Sequence, residues 1–178
     1  MHRFSYLVFF FPVCVTSSSA TNKVVDVSTI CKPVTNPSFC SALLKSKQGA
    51  DLVSLAQYTI GVARINITNT INLIKKLIAQ SGKDVEAHRH YETCLLHFDV
   101  REGAMADLED IQQLLKSGDY DSAFQSARSI RIDIDACISG ESPSDPPYPD
   151  TSLLPKYADS VDKVAQIIER IIDLIKGF

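Results

Sequence analysis

The chain has 178 residues, 18 basic and 21 acidic side chains, a net charge of −3 and a hydrophobic fraction of 45%. That apolar content is enough for a packed core and too high for a disordered chain. No basic stretch or basic helical stripe is present, which excludes a nucleic-acid binder.

The first twenty residues read as an export signal. His2 and Arg3 form a basic start, Leu7 to Val15 an apolar core, and Ser18-Ser19-Ala20 a small-residue cleavage site. The apolar run is too short for a bilayer span, which needs about 20 residues. Cleavage after Ala20 removes Cys14 and leaves 178 − 20 = 158 residues, one domain over 21–178. Loss of Arg3 leaves 17 basic against 21 acidic groups, a net charge of −4 that steers weakly toward basic partners. After cleavage no membrane attachment is expected.

Residues 21–48 are expected to form a helical hairpin around the turn Cys31-Lys32-Pro33-Val34-Thr35-Asn36-Pro37-Ser38-Phe39-Cys40. The remainder, 50–178, reads as a bundle. From Asp51 to Gln80, Ala56, Ile60, Ala63, Ile67, Thr70, Ile74 and Leu77 recur at steps of four and three, and Ser81-Gly82 stops the helix. A second helix is expected from Asp84 to Lys116, with Tyr91, Cys94, Leu95, Phe98, Met105, Leu108, Ile111 and Leu115 facing inward. Its stripe is interrupted at Arg101-Glu102-Gly103, where a bend, a solvated patch or a partner contact is expected.

Gly118-Asp119 supplies a C-terminal glycine and an N-cap, so the chain reverses there. The third helix carries Tyr120, Ala123, Ala127, Ile130, Ile134 and Cys137 on one stripe. Proline from Pro143 through Pro149 rules out helix in the next loop. A fourth helix, Ser152 to Lys176, has its seam at Tyr157, Val161, Val164, Ile168, Ile171 and Ile175. No strand-like alternation competes. The expected fold is all-α, an antiparallel four-helix bundle preceded by a helical hairpin.

Four cysteines of the exported chain allow three pairings. Cys94 lies about 23 residues before the Gly118 turn and Cys137 about 19 after it, so both sit at similar heights on adjacent antiparallel helices. Cys94 is therefore paired with Cys137, and Cys31 with Cys40.

The chain resembles the plant family of pectin methylesterase inhibitors and invertase inhibitors. The resemblance rests on Ile30-Cys31-Lys32 with Asn36-Pro37-Ser38-Phe39-Cys40, on Cys94-Leu95-Leu96-His97-Phe98, on Gly118-Asp119-Tyr120-Asp121-Ser122-Ala123 and on Cys137. It covers nearly all of the exported chain. It implies a secreted cell-wall protein, of the apoplast or, if invertase-directed, the vacuole. Such a protein has no enzymatic activity of its own and blocks a carbohydrate-active enzyme by covering its substrate cleft. The invertase branch carries a Pro-Lys-Phe motif after the Gly-Asp turn. Tyr120, Asp121 and Ser122 hold those slots here, which favours pectin methylesterase as the partner and leaves invertase the alternative. After Cys137, where many members continue with an acidic-aromatic run, Ile138-Ser139-Gly140 leads straight into the proline loop.

Enzyme contacts are expected on exposed bundle faces, with Asp99, Glu102, Asp107 and Asp110 of the second helix and Tyr120 and Asp121 at the turn as candidates. Asn66-Ile67-Thr68 is a glycosylation sequon. His88, His90 and His97 fall on different faces or two turns apart, a poor arrangement for one metal ion. The pairs Glu109-Asp110 and Asp133…Asp135 read as outer-face charges, not catalytic carboxylates. No phosphate loop or nucleophile elbow is present, and no cofactor is implied. A different class of reading is a secreted helical carrier with an internal cavity, or a signalling module without an enzyme target.

Overall fold

The computed structural model describes residues 23–140, 142 and 146–177. The signal-peptide reading of residues 1–20 and the expectation for Pro143 lie outside the described residues.

Two short helices open the described chain, α1 (Val27–Cys31) and α2 (Pro37–Leu44), followed by one 3-10 turn. Asp26 caps the first through the Ser28 N–H and Asn36 the second through the Phe39 N–H, with Pro37 in the first turn. The Cys31–Cys40 disulfide, with Cα atoms 5.4 Å apart, ties the two together. Five-residue and eight-residue helices do not stand alone in water, so the bridge and the packing below them hold this hairpin in place.

The bundle comprises α3 (Leu52–Ser81), α4 (Val85–Phe98), α5 (Ala104–Ser117), α6 (Tyr120–Ser139) and α7 (Leu154–Lys176). Asp51 caps α3 by accepting the Ser54 N–H at 2.8 Å. Asp84 and Asp119 cap α4 and α6 in the same way. Gly118, in the left-handed conformation at φ 78°, closes α5 and lets the chain reverse. In cross-section α3 lies between α7 and the α4–α5 pair, and α6 occupies the diagonal position. The Cys94–Cys137 disulfide, Cα atoms 4.6 Å apart, joins α4 to α6.

Helix α7 is the central column, with ten buried side chains spread over a face wider than a single seam. Ile168 and Ile172 enter the main core with Ile67, Phe98, Leu108 and Ile130. Ile167, Ile171 and Ile175 face the other way and form a second core with Ile30, Leu44 and Leu55 under the hairpin. A polar seam adds to this contact: the Thr35 N–H donates to Gln166, Gln166 to Asp162, and Arg131 bridges Asp162 and Glu169. Buried Thr59 and Thr70 return their hydroxyls to the carbonyls of Leu55 and Asn66, so neither is left unsatisfied.

Two expectations are corrected. Tyr157 is exposed, while Leu154 and Ala158 fill the seam at that level. One position is about 100° of helix, and the buried face is centred on Ala158. The helix expected over 84–116 is two helices, and the bend expected as one possibility at 101–103 is a full break over 99–103. At the break Asp99 is extended and its carboxylate accepts the N–H groups of Arg101 at 2.8 Å and Glu102 at 3.3 Å. These bonds to a turn outcompete continuation of the helix. Gly103 then crosses the last turn of α4 so closely that a Cβ there would lie 2.5 Å from the His97 and Leu96 carbonyl oxygens.

No helix among the described residues is long and apolar enough to cross a membrane.

Candidate functional site

The candidate contact residues fall at two ends of α5. Asp99 and Glu102 sit at the break before it, Tyr120 and Asp121 just past the turn after it, and its 14 residues separate them by about 20 Å. Asp107 and Asp110 lie between. These groups are spread from the break, along α5, to the start of α6 and do not form one cluster.

Their roles differ from the outward placement expected of all four acidic groups on the second helix. Glu102 and Asp110 are exposed. Asp99 is not: its side chain is 19% exposed and is occupied in holding the break. The backbone N–H groups of Arg101 and Glu102 keep its pKa below the usual carboxylate range. Asp107 is half-buried and turned toward α6. Burial first, then the Asp133 charge and hydrogen bond, push its carboxyl up to about 7. Asp133 is raised by the same burial, an effect opposed by His97, whose Nδ1 is 3.2 Å from its Oδ1. The reason is positional: Asp107, Asp133 and His97 come from three helices that converge just past the break, and only one of them can be cationic.

At the far end Tyr120 is half-buried against both cores. Asp121 is 86% exposed and pairs with Lys176 at 2.6 Å, a contact worth little in water. Asp133 and Asp135, weighed from sequence as a pair, part company: Asp133 faces α4 and α5, while Asp135 accepts from Ser139 on the outer side.

Three histidines serve three separate elements. His88 meets Ser81 and Glu92; His97 meets Asp133; His90 stacks on Tyr148 at 4.4 Å beside Asp150. Burial holds His90 below the usual imidazole range, with Asp150 opposing. Asp150, whose side chain is 5% exposed, also accepts the Tyr91 hydroxyl at 3.1 Å and the Ser152 N–H at 2.8 Å. This latch lays the end of the proline loop onto α4. Asp150 follows a proline-rich stretch, and nothing in its local pattern announces burial.

Sequence reasoning also missed an apolar component. Leu96 (60%) and Val100 (61%) are exposed beside the break, and Ile132 (66%) is exposed on α6 at the edge of the groove it shares with α7. Apolar residues in helical patterns are read as core by default, so the signal was available only as positions left outside each stripe.

Asn66 is half-buried on α3, one position from the buried Ile67, and Thr68 donates its hydroxyl to the Arg64 carbonyl.

The sequence model described as "Plant invertase/pectin methylesterase inhibitor" matches residues 25–171. The chain is 30% identical to Pectinesterase inhibitor 2 of Arabidopsis thaliana over 141 residues, 78% of this chain and 73% of that protein. It is 33% identical to Pectinesterase inhibitor 1 of the same plant over 95 residues, 53% of this chain and 52% of that one. Among solved structures, a mutant form of an Arabidopsis pectin methylesterase inhibitor superimposes with a TM-score of 0.69 at 24% identity, covering 83% of this chain and 95% of the other. At that identity the superposition speaks for the fold.

Proposed function

Because the chain belongs to the plant invertase/pectin methylesterase inhibitor family, we propose that it is a protein inhibitor of a pectin methylesterase. The reading is carried by its 30% identity to a pectinesterase inhibitor across 78% of the chain. Inhibition is by one-to-one occlusion of the substrate cleft, without turnover or cofactor. Tyr120, Asp121 and Ser122 in the slots of the invertase branch's motif support the same choice of target.

The contact region runs from the break between α4 and α5, along the exposed face of α5, to the start of α6. Glu102 and Asp110 present the exposed charge, Asp99 shapes the loop that carries Glu102, and Asp107 braces α5 against α6. Tyr120 and Asp121 form a second contact at the other end. Exposed carboxylates meeting a basic rim raise the association rate more than the affinity. The protein is exported through residues 1–20 and acts in the cell wall, with Asn66 as a glycan acceptor.

The test is titration of a plant pectin methylesterase and an acid invertase, side by side, with oxidised protein spanning residues 21–178. Stoichiometric loss of esterase activity alone is expected. Loss of invertase activity alone assigns the chain to the other branch. No effect on either, with both disulfides intact by thiol titration, removes the inhibitor reading and favours a carrier or signalling module.

A further inference from the structure

We propose that Ser81, His88 and Glu92 form a nucleophilic triad at the corner between α3 and α4, a site at which the chain accepts acyl groups from reactive esters. The corner lies one length of α4, 14 residues or about 20 Å, from the break at the other end of that helix. The proposal therefore does not depend on the inhibitor reading.

The local fold brings the three side chains together. Ser81 is the last residue of α3, and Gly82 at φ 57° turns the chain in a conformation that residues with a Cβ rarely adopt. The Ser81 carbonyl accepts the Asp84 N–H at 2.9 Å, and Asp84 caps α4 by accepting the Ala87 N–H at 3.0 Å. His88 lies in the first turn of α4 and Glu92 four residues on, so the two share a face. The imidazole is thereby set between a hydroxyl and a carboxylate. Its Nδ1 is 2.9 Å from Ser81 Oγ and its Nε2 is 3.3 Å from Glu92 Oε1.

These contacts give each group a role. An ionised carboxylate only accepts hydrogen bonds, so Glu92 calls for the proton on Nε2. In the neutral ring that leaves the Nδ1 lone pair facing the Ser81 hydroxyl, which is the tautomer a general base needs. Glu92 is a positioning residue, acting through His88. The reaction is one acyl transfer. Ser81 Oγ attacks the ester carbonyl carbon, and its proton passes to Nδ1. The bond from that carbon to the alcohol oxygen then breaks, and the departing oxygen takes the proton from Nδ1. One Oγ–acyl bond is formed, one alcohol is released, and no oxidant or reductant is consumed.

Other helix-terminal serines show what is particular to Ser81. Ser117 ends α5 and donates its hydroxyl to the Leu114 carbonyl at 3.0 Å, as Ser81 does to the Ile78 carbonyl at 2.7 Å. Such bonds are ordinary for serine in helices, and a carbonyl cannot carry the proton away. Ser139 ends α6 and donates to Asp135. Of these three serines, Ser81 is the one with an imidazole in reach. The triad is open to water, with 43% of the His88 side chain and 60% of the Glu92 side chain exposed. An open corner offers little binding energy for a long substrate, so its donors are small, activated esters.

The test incubates the oxidised wild-type chain with p-nitrophenyl acetate, follows p-nitrophenolate release and maps the acetyl group by mass spectrometry. Hydroxylamine separates serine esters, which it cleaves, from lysine amides. Acetylation is expected at Ser81 and not at Ser117 or Ser139, at a rate that rises with pH as imidazole loses its proton. His88→Gln is expected to be acetylated about 100-fold more slowly and without that rise, at unchanged circular-dichroism melting. Ser81→Ala is expected to remove the ester label. Glu92→Gln is expected to slow the reaction and Glu92→Asp to recover part of the rate. Equal labelling of Ser81 and Ser117 in the wild-type chain overturns the proposal without recourse to a variant. Labelling confined to lysines overturns it as well, as does a His88→Gln or Glu92→Gln rate equal to wild type.

Discussion

The carboxyl groups of Asp107 on α5 and Asp133 on α6 face each other across the seam, and burial followed by the Asp133 charge pushes Asp107 up to about 7. His97 of α4 meets the same pair, its Nδ1 3.2 Å from Asp133 Oδ1. Asp107 titrates near 7 in the folded chain, against about 3.9 when unfolded.

The folded state therefore keeps a proton that the unfolded state releases as pH rises from about 4 to about 7, and stability falls through that window. His90, held low by burial, works in the opposite sense at acid pH, so a variant is needed to isolate Asp107. Asp107→Asn replaces the carboxyl donor with an amide. It is expected to match wild type at pH 4 and to be more stable by about 1 kcal/mol at pH 8, after discounting for solvent screening. That is about 2–4 °C in melting temperature. Equal melting curves at pH 8 would sink the account of a raised Asp107 carboxyl.

Gly103→Ala tests the wedge at the break. The added Cβ would sit 2.5 Å from three backbone atoms of Leu96 and His97, and backbone yields less readily than a flexible side chain. Overpacking of this kind costs about 1–3 kcal/mol, read as a lower urea midpoint. The same substitution at Gly61, where nothing lies within 4 Å, is expected to stabilise by up to about 1 kcal/mol through helix propensity.

The two disulfides should fail differently. Replacing Cys94 and Cys137 by alanine removes a cross-link over 43 residues, worth about 4 kcal/mol on the chain-entropy account. Melting of the whole bundle should shift down. Replacing Cys31 and Cys40 opens a loop of 9 residues. Hydrogen exchange should then speed up over 26–47 while the bundle amides keep their protection. Uniform loss of protection in the second variant would mean that the hairpin is integral to the bundle.

Tyr91→Phe probes the proline-loop latch. It takes one donor from an Asp150 side chain that is 5% exposed, leaving a buried acceptor short of a partner at a cost of about 1–3 kcal/mol. Exchange at Ser152, whose N–H binds the same carboxylate, should accelerate with it. An unaltered Ser152 rate would show that the loop is held by the Tyr148–His90 stack alone.

Inhibition is expected to weaken as salt rises from about 0.02 to about 0.5 M, because Glu102 and Asp110 are exposed to screening. Constant inhibition over that range would remove those carboxylates from the contact.

The helices, their order and the pairing of the cysteines were legible in the sequence because each depends on information local to a segment. Caps at Asp51, Asp84 and Asp119, the glycine at 118 and apolar steps of three and four act within one or two turns. The heights of Cys94 and Cys137 follow from counting residues around a single turn. The side-chain roles were not legible, because they depend on what a neighbouring helix brings. Asp107 and Asp110 look alike in sequence, yet α6 places Asp133 against the first and leaves the second in water. Asp99 and Glu102 part in the same way once the chain breaks between α4 and α5. Tyr157 and Ala158 exchanged expected places because α7 packs against α3, α6 and the hairpin at once, which sets its rotation. Periodicity determined where each helix runs; the rotation and contact of helices distant in sequence decided which polar and apolar groups are left for a partner.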